Sequence, residues 1–372
     1  MTKTFKKLLL PGFIFQSVVI AGGYGTGREI VEYFLQYGPL GGLLGMVLVT
    51  TVLWSVILAV TFEFARLFRT YNYREFFKIL LGRYWIIFEI MFMIGMLLIL
   101  AVIGSASGTL LRDNFGINYL IGVILMFCAI GFLTFKGSGL IEKFLASWSI
   151  LLYLVYGIIF ILALNKFGSV ISENLSGMEA KPGWAVGGFK YALYNFAVIP
   201  AVMFCLVHIE TRKEAVLAGV FGGIIGILPA VLFFFAVTSQ YPEILPEEVP
   251  IMFLLNRIDS TTVIIIFQIV LFGTLIETGT GFIHAFNERI RSLYESRKKE
   301  FPGYLRPVNA VILLLAGLFI SRYGLINLIA KGYGALSWGF FAVFVIPLFT
   351  LGIYKIYKSG NSGNNQPLNN SE

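Results

Sequence analysis

The 372-residue chain is 58% hydrophobic and only 13% charged, with a formal net charge of +8. A water-soluble protein cannot hide that much apolar surface, so composition predicts an all-α integral membrane protein with several spans. The positive charge then describes orientation in the bilayer rather than nucleic-acid binding. Cys128 and Cys205 both fall in apolar runs and supply neither a disulfide framework nor a zinc spacing.

The first apolar run begins at Leu8 after Lys3, Lys6 and Lys7. It is interrupted by Ala21-Gly22-Gly23-Tyr24-Gly25-Thr26-Gly27-Arg28-Glu29 and resumes to Tyr37. Each glycine costs about 1 kcal/mol against alanine in a helix, so this cluster predicts a break at mid-membrane. Broken backbone is tolerated there only where it faces protein, water or a ligand. The run continues directly into further helix, which argues against a cleaved leader. Nine more spans follow: Leu40–Phe64, Trp85–Leu111, Tyr119–Phe135, Leu140–Ala163, Ala185–His208, Ala215–Val237, Thr262–Ala285, Val308–Ile320 and Ser337–Tyr354. Leu67–Gly82 and Asn287–Arg306 are basic and amphipathic, suited to anionic headgroups. The expected organisation is one transmembrane domain over residues 1–358 and an Asn/Ser/Gly-rich disordered tail over 359–372.

Ten spans with both termini cytoplasmic place 20 of the 28 basic residues inside and seven outside; the remaining one, Arg28, lies within the first span. That alternation follows the positive-inside rule. The external segment Gln240–Pro250 is acidic, with Glu243, Glu247 and Glu248.

The sixth span carries a second interruption. Asn195 sits at mid-span, and Pro200 lacks an amide proton and disfavours helix at Ile199. Each break begins a group of five spans, an odd number, so the halves, about 8–163 and 185–354, enter the membrane from opposite sides. Paired broken helices in a 5+5 inverted repeat point to a transporter binding site. Either break alone can be a packing kink.

With these residues in view, the whole chain resembles the ten-span LeuT-type fold of the amino acid–polyamine–organocation superfamily. Gly22-Gly23-Tyr24-Gly25-Thr26-Gly27-Arg28-Glu29-Ile30-Val31-Glu32-Tyr33-Phe34, followed by Gly38-Pro39-Leu40-Gly41-Gly42, is most similar to YkvI-like bacterial membrane proteins. In the sodium-coupled neurotransmitter-type symporters of this fold, a Gly-x-Gly break precedes an external gating arginine paired with an acid of the tenth span. The resemblance gives that gating role to Arg28, with Glu29 beside it. No acid occurs between Tyr323 and Tyr354, which leaves Arg28 to pair with Glu29 or Glu32.

Glu277 is the most informative intramembrane charge. A mid-span carboxylate is costly and belongs against the interior, paired, protonated or bound to a cation. Thr274, Glu277 and Thr278 share one helix face, and hard cations prefer oxygen ligands. The resemblance implies a sodium site between the eighth span and the first break, with Glu277 where those symporters carry a hydroxyl residue. As an acid, Glu277 can carry a proton instead. The solute is expected between Gly22, Gly23, Tyr24, Gly25, Thr26 and Gly27 of the first break and Tyr194, Asn195 and Phe196 of the second. Half-helix amides there suit a carboxylate, and Asn195 suits an ammonium. Tyr191 and Trp148 are further candidate cavity residues.

The glycine cluster follows an apolar helix rather than a strand, so it is no dinucleotide fingerprint. No catalytic constellation is present, and an enzyme is not expected. The sequence therefore predicts a secondary transporter for a small amino-acid-like or amine solute. Sodium or protons would be the coupling ion, no other cofactor is expected, and the partners are the bilayer and the solute, with oligomeric state left open. A channel or a non-transporting structural or sensor protein is the alternative. A channel would favour a continuous polar path.

Overall fold

The computed structural model describes residues 2–363 except 21, 137, 178–179 and 297; within these, the side chains of 135–150, 152–153, 292, 296 and 360–363 are also undescribed. All regular structure among the described residues is helical. Among the described residues seven helices are long and apolar enough to cross a membrane, and two shorter apolar helices accompany them.

The first run forms three pieces, α1 (Leu10–Val19), α2 (Gly22–Gly25) and α3 (Arg28–Tyr33). Then come α4 (Pro39–Phe68), α5 (Tyr73–Phe115), α6 (Tyr119–Lys136) and α7 (Ser138–Ser176), the last kinked at Phe167. After Gly183 follow α8 (Trp184–His208), α9 (Arg212–Thr238), α10 (Pro250–Ile258), α11 (Thr261–Ser296), α12 (Leu305–Ser321) and α13 (Leu325–Ser359). Helix continues through Gly363, so the first residues of the expected tail extend α13; residues 364–372 lie outside the described residues.

Helix boundaries follow local chemistry. Asn72 caps α5, its side chain accepting from the Arg74 and Glu75 amides, and Thr211 with Glu214 forms a capping box on α9. Pro39 and Pro250 begin helices where no amide donor is required. Three expected spans extend further than their apolar windows. Helix α13 starts twelve residues before Ser337, because the exposed Lys331 keeps its charge outside the packed face. Helix α11 absorbs the start of the basic segment after Asn287, and α5 absorbs much of Leu67–Gly82. In that last segment Phe76, Phe77 and Leu80 are buried in the core rather than laid on headgroups.

Helix α9 packs along α4 and α1 through a stripe of small residues. A Cβ at Gly219 would strike the backbone of Ala59, one at Gly223 the backbone of Ser55, and one at Gly226 the rings of Phe15 and Trp54. Such stripes let membrane helices approach closely without a hydrophobic driving force. Gly219→Ala is therefore expected to lower stability by about 1–3 kcal/mol through overpacking. Chemical denaturation in detergent, compared with Gly281→Ala where a Cβ meets open space, measures it; equal midpoints for the two variants would contradict the close approach.

Candidate functional site

The first break is set by two backbone positions. Ile20 leaves helical geometry at φ −75°, ψ 81°, and Gly27 adopts φ 80°, a left-handed conformation that favours glycine. The turn between them is buried and internally bonded. The Thr26 hydroxyl donates to the Gly23 carbonyl at 2.8 Å and accepts from the Arg28 amide at 3.3 Å. The Gly25 carbonyl accepts from the Tyr156 hydroxyl at 3.0 Å, and the Thr26 carbonyl accepts from the Ile251 amide at 3.2 Å. Glu29 folds back over Gly23, taking hydrogen bonds from the Tyr24 amide and the Tyr194 hydroxyl. The protein's own carboxyl thus occupies the Tyr24 amide, one of those that the sequence reading offered to a solute.

The other glycines serve packing. A Cβ on Gly22 would meet Leu275 and Ile103, and one on Gly25 would meet Leu271 at 2.8 Å. Gly27 lies under Phe233. Tyr24 is buried against Tyr156 and Phe233.

The second break is tightened rather than unwound. Helix α8 passes into 3₁₀ geometry over Asn195–Val198, makes one α turn over Ile199–Val202, and returns to 3₁₀ over Met203–His208. Asn195 spends its amide on the Tyr191 carbonyl of its own helix at 2.9 Å, and Phe196 is fully buried against Phe344. Of the three residues expected to face the solute here, Tyr194 alone reaches across to the first break. Tyr191 is core, packed on Trp54 and Phe34. The side chain of Trp148 lies outside the described residues.

A cavity of about 1040 Å³ runs from the end of α1 to the side of the molecule that carries the amino terminus. Its inner wall is Ser17, Val18 and Ile20 of α1, Ala197, Val198, Pro200 and Ala201 of α8, and Thr274, Glu277 and Thr278 of α11. The expected hydroxyl–carboxylate trio therefore shares one wall, opposite the last turn before the first break. The Thr274 hydroxyl donates to the Val270 carbonyl at 2.9 Å, which leaves its lone pairs available to a cation.

The cavity mouth holds Tyr73, Arg74, Glu288 and Arg289. Arg289 forms an ion pair with Glu89 and donates to the Tyr73 hydroxyl. The guanidinium groups of Arg74 and Arg289 lie 5.2 and 5.9 Å from the Trp85 ring centroid. Arg74 and Arg289 fall in the two basic segments expected on headgroups; the structure instead brings them together, because α5 meets α11 at the cavity mouth. Nearby, Lys7 bridges Glu210 at 2.7 Å and Glu214 at 2.9 Å, tying the start of the first run to the α8–α9 connection. The Lys7 ammonium, with help from the capping amides, holds the Glu214 carboxyl down at about 2.

The opposite side is sealed. The segment from Ser239 to Ile258 folds back over the first break, burying Ile251, Leu254 and Leu255. Arg28, only 4% exposed, donates to the carbonyls of Leu245 at 2.7 Å and Glu247 at 3.0 Å and pairs with Glu32 at 2.7 Å. Of the two acids offered by the sequence reading, Glu32 is the partner, and the hairpin carbonyls supply the rest. Glu248 of the same hairpin accepts from Thr109 at 2.7 Å and pairs with Arg112 at 3.3 Å. The hairpin's helix α10 was missed in sequence, although Pro250 followed by an apolar run was its signal.

No family model matches the chain. The chain is 21% identical over 299 residues to the uncharacterized membrane protein YkvI of Bacillus subtilis (strain 168), covering 77% of this chain and 82% of that protein. Among solved structures it resembles a Na+-coupled sialic acid symporter in a substrate-bound outward-open state, with TM-score 0.52, 14% identity, and 95% and 86% of the two chains covered. It also resembles the Eremococcus coleocola manganese transporter in complex with an aromatic bis-isothiourea compound, with TM-score 0.51, 14% identity, and 98% and 89% covered.

Proposed function

From the premise of a YkvI-like membrane protein with a LeuT-type fold, we propose that the chain is a secondary transporter working by alternating access. One observation carries the reading: a cavity reaches the first break from one side while Arg28 and the hairpin seal the other. An access path that ends beside two discontinuous helices suits a carrier better than a channel, which requires a continuous path. The solute class is a small amino-acid-like or amine molecule, because Glu277 offers a countercharge to an ammonium on an otherwise largely apolar wall. The solute would lodge at the inner end of the cavity, and Gly22 to Gly27 and Tyr194 to Phe196 would part to admit it.

The coupling cation is sodium or a proton, handled by Thr274, Glu277 and Thr278. The halves 8–163 and 185–354 would move against each other, and the basic residues on the cavity side favour a cytoplasmic placement of both termini. The test is counterflow in proteoliposomes loaded with a panel of amino acids and amines chosen by thermal shift with and without sodium. Saturable exchange of at least one solute is expected. Linear, non-exchanging flux, or none across a panel that includes a thermally stabilising compound, would overturn the reading.

A further inference from the structure

We propose that Glu29 is a proton-binding site whose neutral form holds the sealed face shut. The proposal rests on the transporter reading and adds a second coupling group to it. Glu29 is 2% exposed, and its carboxyl lies over Gly23 so closely that even a Cβ there would overlap it. The cavity does not reach it. A lone buried carboxylate is strongly disfavoured and neutralises where it can. In this packing no sodium ion or organic cation has room beside it, and a proton needs none.

The surroundings confirm how little compensates a charge. Its neighbour Arg28 turns away to Glu32 and the hairpin carbonyls. Tyr33 donates to the Ile329 carbonyl, and Tyr156 donates to the Gly25 carbonyl. Tyr191 is buried beside Tyr194 with ring centroids 5.7 Å apart, and Tyr333 stacks on Tyr194 at 4.7 Å. Helix α9 presents Phe233 to the break. Lys190 of α8 is half-buried and Lys331 of α13 is exposed. Among the described residues no lysine, arginine or histidine forms an ion pair with Glu29. Among the described residues its hydrogen bonds come from the Tyr194 hydroxyl and the Tyr24 amide.

The device follows from position. Glu29 lies in the first turn of α3, the piece that the hairpin clamps through Arg28, and Tyr194 lies at the edge of the second break. Losing the proton places an uncompensated charge at the junction of the two broken helices, and parting them lets water reach it. The sign is therefore fixed: acid favours the sealed face, and alkali favours its opening.

The test uses full-length protein in nanodiscs, with Cys128→Ala, Cys205→Ala and Ile251→Cys, and a membrane-impermeant maleimide as probe. Ile251 belongs to the hairpin's helix α10 and is fully buried where that helix meets the first break. Labelling is expected to rise at least about tenfold from acid to alkaline pH, since one unit of proton-affinity difference between two states shifts their ratio tenfold. Glu29→Gln keeps the shape and should label slowly at every pH. Tyr194→Phe keeps the ring but removes the donor that favours the carboxylate, so its curve should move to higher pH. The infrared carbonyl band of a protonated acid should be lost in Glu29→Gln. Flat wild-type labelling would overturn the proposal, as would wild-type titration in Glu29→Gln or an unchanged infrared band. So would Glu277→Gln abolishing the titration, or tetramethylammonium closing the face at alkaline pH as acid does. Counterflow that fails while the titration persists sinks the transporter reading and leaves the proton site standing.

Discussion

Arg28→Ala is expected to release the sealed face. The guanidinium is nearly fully buried and satisfies Glu32 and the carbonyls of Leu245 and Glu247 at once. Removing one partner of a buried pair costs about 3–5 kcal/mol, because the other charge stays uncompensated. Every 1.4 kcal/mol or so is tenfold in an equilibrium, so the open population should grow by roughly a hundredfold or more. Arg28→Lys should fall between, since an ammonium cannot reproduce the planar fork that spans two carbonyls and a carboxylate. Spin labels at the exposed positions Asn256 and Lys331 report the change as a lengthened distance. An unchanged distance distribution in Arg28→Ala would show that apolar packing of Ile251, Leu254 and Leu255 closes the face without the arginine.

Glu277→Gln is expected to abolish ion-driven accumulation while sparing solute exchange. The substitution keeps the size of the side chain and removes the ionisable carboxyl that lines the cavity on α11. A unit charge pair 4 Å apart in an effective dielectric of 20 is worth about 4 kcal/mol, so ion affinity falls by at most roughly a thousandfold. Thr274→Val and Thr278→Val should each act in the same direction and more weakly, because each removes one hydroxyl ligand. Uptake against a gradient, with counterflow as the parallel readout, separates coupling from solute binding. Ion dependence that survives in Glu277→Gln would assign the carboxylate a structural place on α11.

Much of this architecture can be read along the chain, because bilayer thickness and backbone satisfaction act on local segments. A span must be apolar for about 20 residues, so composition alone revealed the helical membrane class and the approximate position of most helices. The glycine cluster at Gly22–Gly27 marked the first break, because its cost in helix is local to those residues. The spacing of Thr274, Glu277 and Thr278 placed their side chains on one face, because helix geometry is local too.

Tertiary structure decided which groups those local features serve. The glycines were legible as a break, but only the approach of Leu275, Leu271 and Phe233 shows that their missing side chains make room for helices. The Tyr24 and Arg28 amides are taken by the Glu29 and Thr26 side chains, a choice that depends on side-chain direction two to five residues away. Arg28 had two candidate acids on its own helix; the hairpin carbonyls that complete its shell come from more than 200 residues downstream. Arg289 lies in a basic segment that local pattern suits to headgroups, and it pairs with Glu89 because α5 and α11 meet at the cavity mouth. Hydropathy and helix period are properties of neighbours in sequence. Ion pairing and closure are properties of neighbours in space, and no local pattern specifies those.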